Sequence, residues 1–442
     1  LEVGDVLHAA LTHAEGARPA LRGGVAIGRA TLDAPPASAA GVHVAAVLDR
    51  LDVDAWRRAG GAGAGAVPAA GMLSSVSALT LAADALSAFG QTLKAVDLRA
   101  TADAGGWKAR LESDAADGEF DWRHAGNGAL AARFRHLRIA RGAEAGATAD
   151  DEGAESSVEE AAADRDPRSL PALDIVAERF ALEDRALGRL ELFARNRGSV
   201  WQLERFVLDN EDGRLGGSGQ WRAAGRQRTQ LEFTLSSDNM GRLIRRLGYE
   251  DVVRGGAAAL SGTLAWRGAP TRIDYPTLSG SVKLETGSGQ FNKLEPGVGR
   301  LLGILSLQSL PRRITLDFRD VFSEGFAFDR ISGSIDAASG VLRTEDLEIR
   351  GPAARVRLRG TANVVAETQD LDVFVQPTLS ESVAIGAAAG LLNPAVGVVT
   401  YLAQKMLSDP IEKLFAFEYA ITGSWSDPQV AKRGTAEPRV VP

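Results

Sequence analysis

The chain has 442 residues, with 50 Lys+Arg against 57 Asp+Glu, a net charge of −7, no Cys and 5 His. The acidic balance excludes the basic face that a nucleic-acid binder presents. The lack of Cys excludes disulfides, thiolate catalysis and Cys-based zinc sites. Apolar residues make up 45% of the chain, enough for extensive burial, and the length admits roughly two to four domains. Leu1 opens the chain without a charged and then apolar leader. The sequence therefore reads as a processed chain or a fragment whose anchor helix lies upstream.

In chain order, the first irregular stretch is Gly60–Gly71, rich in Gly and Ala. It lacks the GxGxxG spacing of a phosphate cradle. Gly142–Pro167 carries nine acidic residues, one Arg and one large aliphatic, Val158. It cannot bury enough apolar surface to offset its ordering entropy, and reads as a disordered acidic linker or loop. Beyond it the period is two. Leu173/Ile175, Phe180/Leu182, Leu190/Leu192, Trp201/Leu203, Phe206/Leu208 and Leu231/Phe233/Leu235 alternate with polar residues. Later come Ile314/Leu316/Phe318, Val356/Leu358, Leu371/Val373/Val375 and Phe415/Phe417/Tyr419/Ile421. Such runs are strands with one apolar and one polar face. Turn signals at Glu211-Asp212-Gly213 and Ala338-Ser339-Gly340 fit hairpins. The helices that parallel strands usually require between them are missing, so the sheet is expected to be antiparallel.

A short signature, apolar-x-Gly-small, recurs around Gly217, Gly262, Gly280, Gly333 and Gly360. Gly on an apolar strand face marks either a sheet that curls around contents or curling alone. Three stretches break the period. Met240, Leu243, Ile244 and Leu247 form a short amphipathic helix with Asp238 available as N-cap. Val298, Leu301, Leu302 and Leu305 form another, stopped by Pro311. Ser382–Gln404 contains no charge and breaks at Asn393-Pro394. It reads as two short helices that touch a membrane interface, plug an end of the sheet or cap a sheet edge.

The five His form no HxxxH or HExxH pair, and no GxSxG or Walker loop occurs. The carboxylate pairs Asp52/Asp54 and Asp370/Asp372 lie on solvated strand faces. Nothing argues for an enzyme, a metal or a cofactor.

Gly299–Gly351 reads GRLLGILSLQSLPRRITLDFRDVFSEGFAFDRISGSIDAASGVLRTEDLEIRG. With DPIEKL at Asp409–Leu414 and ITGSWSDP at Ile421–Pro428, it resembles the YhdP branch of the AsmA-like proteins of the Gram-negative envelope. Lys94–Trp122 is similar more weakly, and the acidic insertion departs from the pattern. The resemblance implies a periplasmic β-groove anchored in the inner membrane through an N-terminal helix absent from this chain. It also implies phospholipid carried toward the outer membrane.

The expected fold is mainly β, an elongated twisted antiparallel β-groove with a few short helices. Its expected parts are groove segments over 1–141 and 169–376, an acidic linker over 142–168, helices near 238–247 and 297–310, an apolar helical hairpin over 377–410, and a terminal strand and tail over 411–442. About 25 strands at about 4.8 Å each extend roughly 120 Å, a bridge length. The expected groove lining is Ile314, Leu316, Phe318, Leu347, Ile349, Val356, Leu358, Leu371, Val373 and Val375, with Phe415, Phe417, Tyr419 and Ile421 near its end. Charges introduced at Leu316, Val356 or Val373 are expected to stop lipid transfer without unfolding the chain. Val383, Ile385, Leu391, Leu392, Val396, Val399 and Leu402 are the expected contacts to a membrane surface, that of the outer membrane. The rival readings are an envelope assembly factor that adds strands to outer-membrane proteins, as TamB-like relatives allow, and a structural β protein with a filled core.

Overall fold

The alternating runs that lie within the described residues fold as strands. The computed structural model describes residues 2–3, 6–14, 20–31, 41–55, 75–140, 167–223, 227–249, 252–292, 326–378 and 417–435. The acidic residues 142–166, the helix expected near 297–310 and the hairpin residues 379–410 lie outside these. Two compact units emerge: Leu1–Asn210 with Gln220–Gly225, and Glu211–Gly219 with Arg226–Pro442.

The first unit holds β1 (Glu2–Val3), β2 (Leu7–Ala14), β3 (Ala20–Gly28), β4 (Val42–Asp52), β5 (Val76–Ala88) and β6 (Gln91–Asp103). It continues with β7 (Gly106–Glu112), β8 (Ala116–Arg123), β9 (Ala129–Ile139), β10 (Ala172–Leu182), β11 (Arg185–Arg197) and β12 (Val200–Asn210). Each strand pairs with the next in sequence, giving an open sheet. Strand β13 (Gly213–Arg222) has residues in both units.

The second unit holds β14 (Arg228–Ser237), α1 (Met240–Arg246), β15 (Val253–Gly255), β16 (Ala258–Arg267), β17 (Ser279–Thr286), β18 (Gly289–Phe291) and β19 (Phe326–Phe328). Then follow β20 (Arg330–Ala338), β21 (Val341–Arg350), β22 (Ala354–Asn363), β23 (Thr368–Pro377), β24 (Phe417–Ser424) and β25 (Pro428–Thr435). Its large sheet runs β14-β16-β17-β20-β21-β22-β23-β24-β25, all antiparallel. The short strands β15, β18 and β19 form a separate three-stranded sheet.

The all-antiparallel expectation is corrected in the first unit, where β3–β4, β4–β5 and β9–β10 are parallel. A parallel step requires the chain to return along the strand, which takes a connection of about a dozen residues or more. The connections here are residues 29–41, 53–75 and 140–171. The Gly/Ala-rich and acidic stretches fall, in sequence, within two of these connections.

Helix α1 follows the expected period but is capped by Asn239, not Asp238: the Asn239 side chain accepts from Arg242 N at 3.0 Å. At its other end, Arg246 Nε donates to Asp212 at 2.8 Å, and Arg242 Nε reaches the same carboxylate at 2.9 Å. Asp212 is only 5% exposed, so loss of these partners would strand a buried charge.

The strand glycines are explained by close approach of neighbouring backbone. A Cβ on Gly280 (φ +139) would lie 2.0 Å from Thr263 O in β16, and one on Gly262 would lie 2.3 Å from Ser281 O in β17. A side chain at either position would meet the backbone of the paired strand, so the close approach of β16 and β17 requires glycine there.

The polar faces carry arginine–carboxylate pairs. Arg110 spans Glu112 at 2.8 Å and Glu119 at 3.1 Å, and Arg135 meets Asp117 at 2.7 Å. Exposed pairs of this kind contribute about 0–1 kcal/mol each. Glu348 is more enclosed. Partial burial pushes its pKa up, but Arg350, Arg355 and Arg357 together outweigh that and hold it below its ordinary value.

Two tests follow from this packing. Gly280→Ala forces a side chain into backbone at a left-handed φ and is expected to cost about 2 kcal/mol or more, read from urea unfolding. An unchanged midpoint would contradict the close approach. A carboxylate with a depressed folded pKa stabilises above its unfolded pKa, and that stability is lost as pH falls through the folded pKa. Glu348→Gln is therefore expected to lower the thermal midpoint at neutral pH, with the gap to the unaltered chain closing in acid below about pH 4.

Candidate functional site

Strand register assembles the alternating residues into rows. In the first unit one row runs Val44–Leu79–Ala100–Ala109–Phe120–Ala132–Ile175–Leu192–Phe206 from β4 to β12. Beside it runs Ala46–Leu81–Leu98–Leu111–Gly118–Phe134–Ala177–Leu190–Leu208. A third row runs Ala102–Trp107–Trp122–Leu130–Leu173–Ala194–Leu203. The first two extend to β2 through Val25–Ala9 and Ile27–Leu7. One apolar stripe thus crosses the eleven strands β2–β12.

Burial within these rows is inverted with respect to size. The alanines at 46, 100, 109, 132, 177 and 194 are buried. Phe120, Phe134, Ile175, Leu192, Phe206, Trp107 and Trp122 are only half-buried, and among the large side chains only Leu81 and Leu190 are enclosed. An alanine between two larger neighbours is shaded by them, whereas a phenylalanine is enclosed only by a covering layer. The stripe is therefore apolar and incompletely covered. The opposite face carries the ion pairs, among them Arg123 to Asp103 at 2.9 Å. The Asp103 carboxyl is held below its ordinary value, first by the Gly105 backbone N–H and then by Arg123.

The second unit contains both conditions. On β14–β20 the rows are Leu231–Leu264–Gly280–Ala337, Phe233–Gly262–Val282–Ile335 and Leu235–Leu260–Leu284–Gly333. Their leucines, Phe233, Val282 and Ile335 are half-buried. From β21 to β24 four rows follow: Ile349–Val356–Val375–Phe417, Leu347–Leu358–Val373–Tyr419, Thr344–Gly360–Leu371–Ile421 and Leu342–Ala362–Gln369–Gly423. Here Leu347, Ile349, Val356, Leu358, Leu371, Val373, Val375, Tyr419 and Ile421 are all 5% exposed or less. They share one core with Val253, Phe291, Phe326 and Phe328 of the three-stranded sheet, and Met240 and Ile244 of α1 pack against it. Burial also raises the Tyr419 pKa.

Nine of the expected lining residues therefore sit in a packed core under the small sheet, and Phe417 is half-buried against it. Ile314, Leu316, Phe318 and Phe415 lie outside the described residues, as do Val383, Ile385, Leu391, Leu392, Val396, Val399 and Leu402. For Val356 and Val373, at 0% and 1% exposure, a charge is incompatible with the fold, which corrects the expectation that charges there leave the chain folded. The incompletely covered surface lies instead on β2–β12 and β14–β20. Two shallow hollows of about 560 and 400 Å³ lie on the polar faces, the first lined by Ser and Thr of β14–β20 and the second beside Arg123, Asp174 and Phe193.

Phe120, Trp122 and Phe134 were legible as alternating residues in ADGEFDWR and ALAARFRHLRI. They did not stand out as lining because the strands before and after them carry alanine at the matching positions. Among the described residues no group of three His, Asp or Glu is placed to hold a metal, and no helix is long and apolar enough to cross a membrane.

Both units are open β-sheets with a one-sided apolar stripe, and the first is of mixed direction. The chain belongs to the YhdP protein family, whose profile matches residues 1–430. It is 31% identical over 245 residues to the protein named intermembrane phospholipid transporter YhdP of Escherichia coli (strain K12). That match covers 55% of this chain and 19% of the relative, so the matched stretch spans about a fifth of that protein's length. No solved structure matches the chain.

Proposed function

We propose that this chain is a segment of a conduit that shields phospholipid acyl chains between the inner and outer membranes. The supporting observation is the stripe across β2–β12, where most of the large apolar side chains are half-buried while Ala46, Ala100, Ala109, Ala132, Ala177 and Ala194 are enclosed. Each CH₂ laid against such a surface gains about 0.8 kcal/mol, and the head group remains in water. The gain is similar from one row to the next, so a lipid can shift along the stripe without a selective polar motif. The name of the Escherichia coli relative supports the same cargo. Periplasmic placement, an inner-membrane anchor and contact of residues 382–404 with the outer-membrane surface belong to this proposal.

The rival role of strand addition calls for a bare sheet edge. The last strand, β25, carries Pro428, Lys432 and Arg433, with Arg433 bound to Asp372 at 2.7 Å and Lys432 4.5 Å from the centre of the Phe417 ring. Prolines and charges of this kind blunt an edge.

Paired substitutions test the reading. Ile175→Asp places a charge on the half-buried stripe and is expected to reduce lipid co-purifying with the chain about tenfold, by native mass spectrometry, with far-UV circular dichroism unchanged. Val356→Asp, in the covered core, is expected to lose the fold of its unit, at a cost of about 4 kcal/mol or more. Unaltered lipid content in a folded Ile175→Asp chain would refute the conduit.

A further inference from the structure

Polar atoms buried without partners are rare, because their desolvation cost stays uncompensated. Three lie toward one rim of the β21–β24 face: Thr344 Oγ1, Gln369 Oε1 and Trp425 Nε1. Thr344 is 9% and Gln369 6% exposed. Thr344 belongs to the third of the four rows on this face and Gln369 to the fourth, nearer the rim. Trp425 lies two residues past Gly423, the partner of Gln369. Its backbone N–H donates to Glu367 O at 2.8 Å, which places Trp425 at the same end of β23. Gln369 Nε2 donates to Ser424 O at 3.3 Å, which fixes the amide orientation and leaves Oε1 as an open acceptor. The other members of these two rows are the small Gly360, Ala362 and Gly423 and the large Leu342, Leu371 and Ile421.

The three groups define a ligand chemistry. The Thr344 hydroxyl and the Trp425 N–H can donate to oxygens, and Gln369 Oε1 accepts from an N–H or O–H. Two strand spacings and one row, together about 12 Å, separate Thr344 from Gln369, so they meet different atoms of one ligand. The inner group faces the ester end and the outer two face the head. Ethanolamine and glycerol head groups carry the donor that Gln369 requires; choline carries none. The packed rows beyond Thr344 leave the tails no room there, which sends them over the half-buried rows of β14–β20.

The geometry points to Thr344, Gln369 and Trp425 as a polar rung that holds the ester–phosphate end of a glycerophospholipid whose head group bears an N–H or O–H. This rests on the conduit reading. For the test, the lipid-free chain is mixed with vesicles of phosphatidylethanolamine and phosphatidylcholine of identical tails, and retained lipid is counted by native mass spectrometry. The unaltered chain is expected to keep phosphatidylethanolamine about tenfold over phosphatidylcholine, the discrimination of one hydrogen bond to a charged group. Gln369→Met is expected to abolish that preference while total bound lipid is unchanged. Thr344→Val is expected to weaken retention of both lipids and to raise the thermal midpoint of the lipid-free chain by a few degrees. Glycerophosphoethanolamine, the same polar end without tails, is not expected to be retained.

Equal retention of both lipids by the unaltered chain overturns the rung and leaves these atoms to water. A preference that survives Gln369→Met also overturns it, and retention of the tail-free compound reassigns the site to a soluble phosphoester. Failure to bind either lipid overturns the conduit itself, an outcome distinct from binding both alike.

Discussion

The structure depends on apolar side chains that stand on one sheet face without a complete second layer over them. In an ordinary two-layer β protein the large residues are enclosed and the small ones fill gaps. Here Ala46, Ala100, Ala109, Ala132, Ala177 and Ala194 are enclosed and Phe120, Phe134, Ile175 and Leu192 are not. The second unit supplies the internal comparison. Where β15, β18, β19 and α1 cover the sheet, Val356, Leu358 and Val373 fall to 2% exposure or less. On β14–β20 of the same sheet, Phe233, Val282 and Ile335 remain half-buried. The difference between the two regions is the cover, since both are built from the same alternating strands.

A stripe of this kind survives only if every strand keeps its face. A slip of one residue between neighbours would turn the whole apolar set of a strand toward water. The three parallel steps preserve the face, because Val25, Val44 and Leu79 remain in register across β3, β4 and β5, and Ala132 and Ile175 across β9 and β10. On the polar side, arginines that bridge neighbouring strands hold the same register, as Arg110 does between β7 and β8 through Glu119. Individually these pairs are weak, and their collective effect is to make a slipped register cost many contacts at once.

Much of this was legible in the sequence. Period two gave the strands of the second unit and the alternation of β10–β12, and the phase of Met240, Leu243 and Ile244 gave α1. The cap of α1 was misread by one residue because Asp238 and Asn239 are both competent caps, and only backbone geometry separates them. The parallel steps were hidden because no periodic helix marks their connections. Phase resets also obscured the pattern: Ala95, at φ +51, puts Leu93 and Val96 into one cluster, and the register shift between Thr344 and Leu347 keeps those two on one face. Least legible was which part of the face is covered. Val356 and Ile175 have the same local pattern, and only the distant strands β15, β18 and β19 decide that the first is enclosed. The candidate lining was therefore placed on the covered end, while the half-buried stripe lies on alanine-interleaved strands that look less apolar residue by residue.

The central claim is that one face of the described sheets meets foreign hydrocarbon and the other does not. A photoreactive benzophenone residue placed singly at Phe120 and Phe134, and at Glu119 and Arg135 on the opposite face, tests it directly in the presence of labelled phospholipid vesicles. Strong lipid adducts at the two phenylalanine positions and background levels at the two charged positions are the predicted result. Adducts of equal strength at all four positions, or at none, would contradict the account.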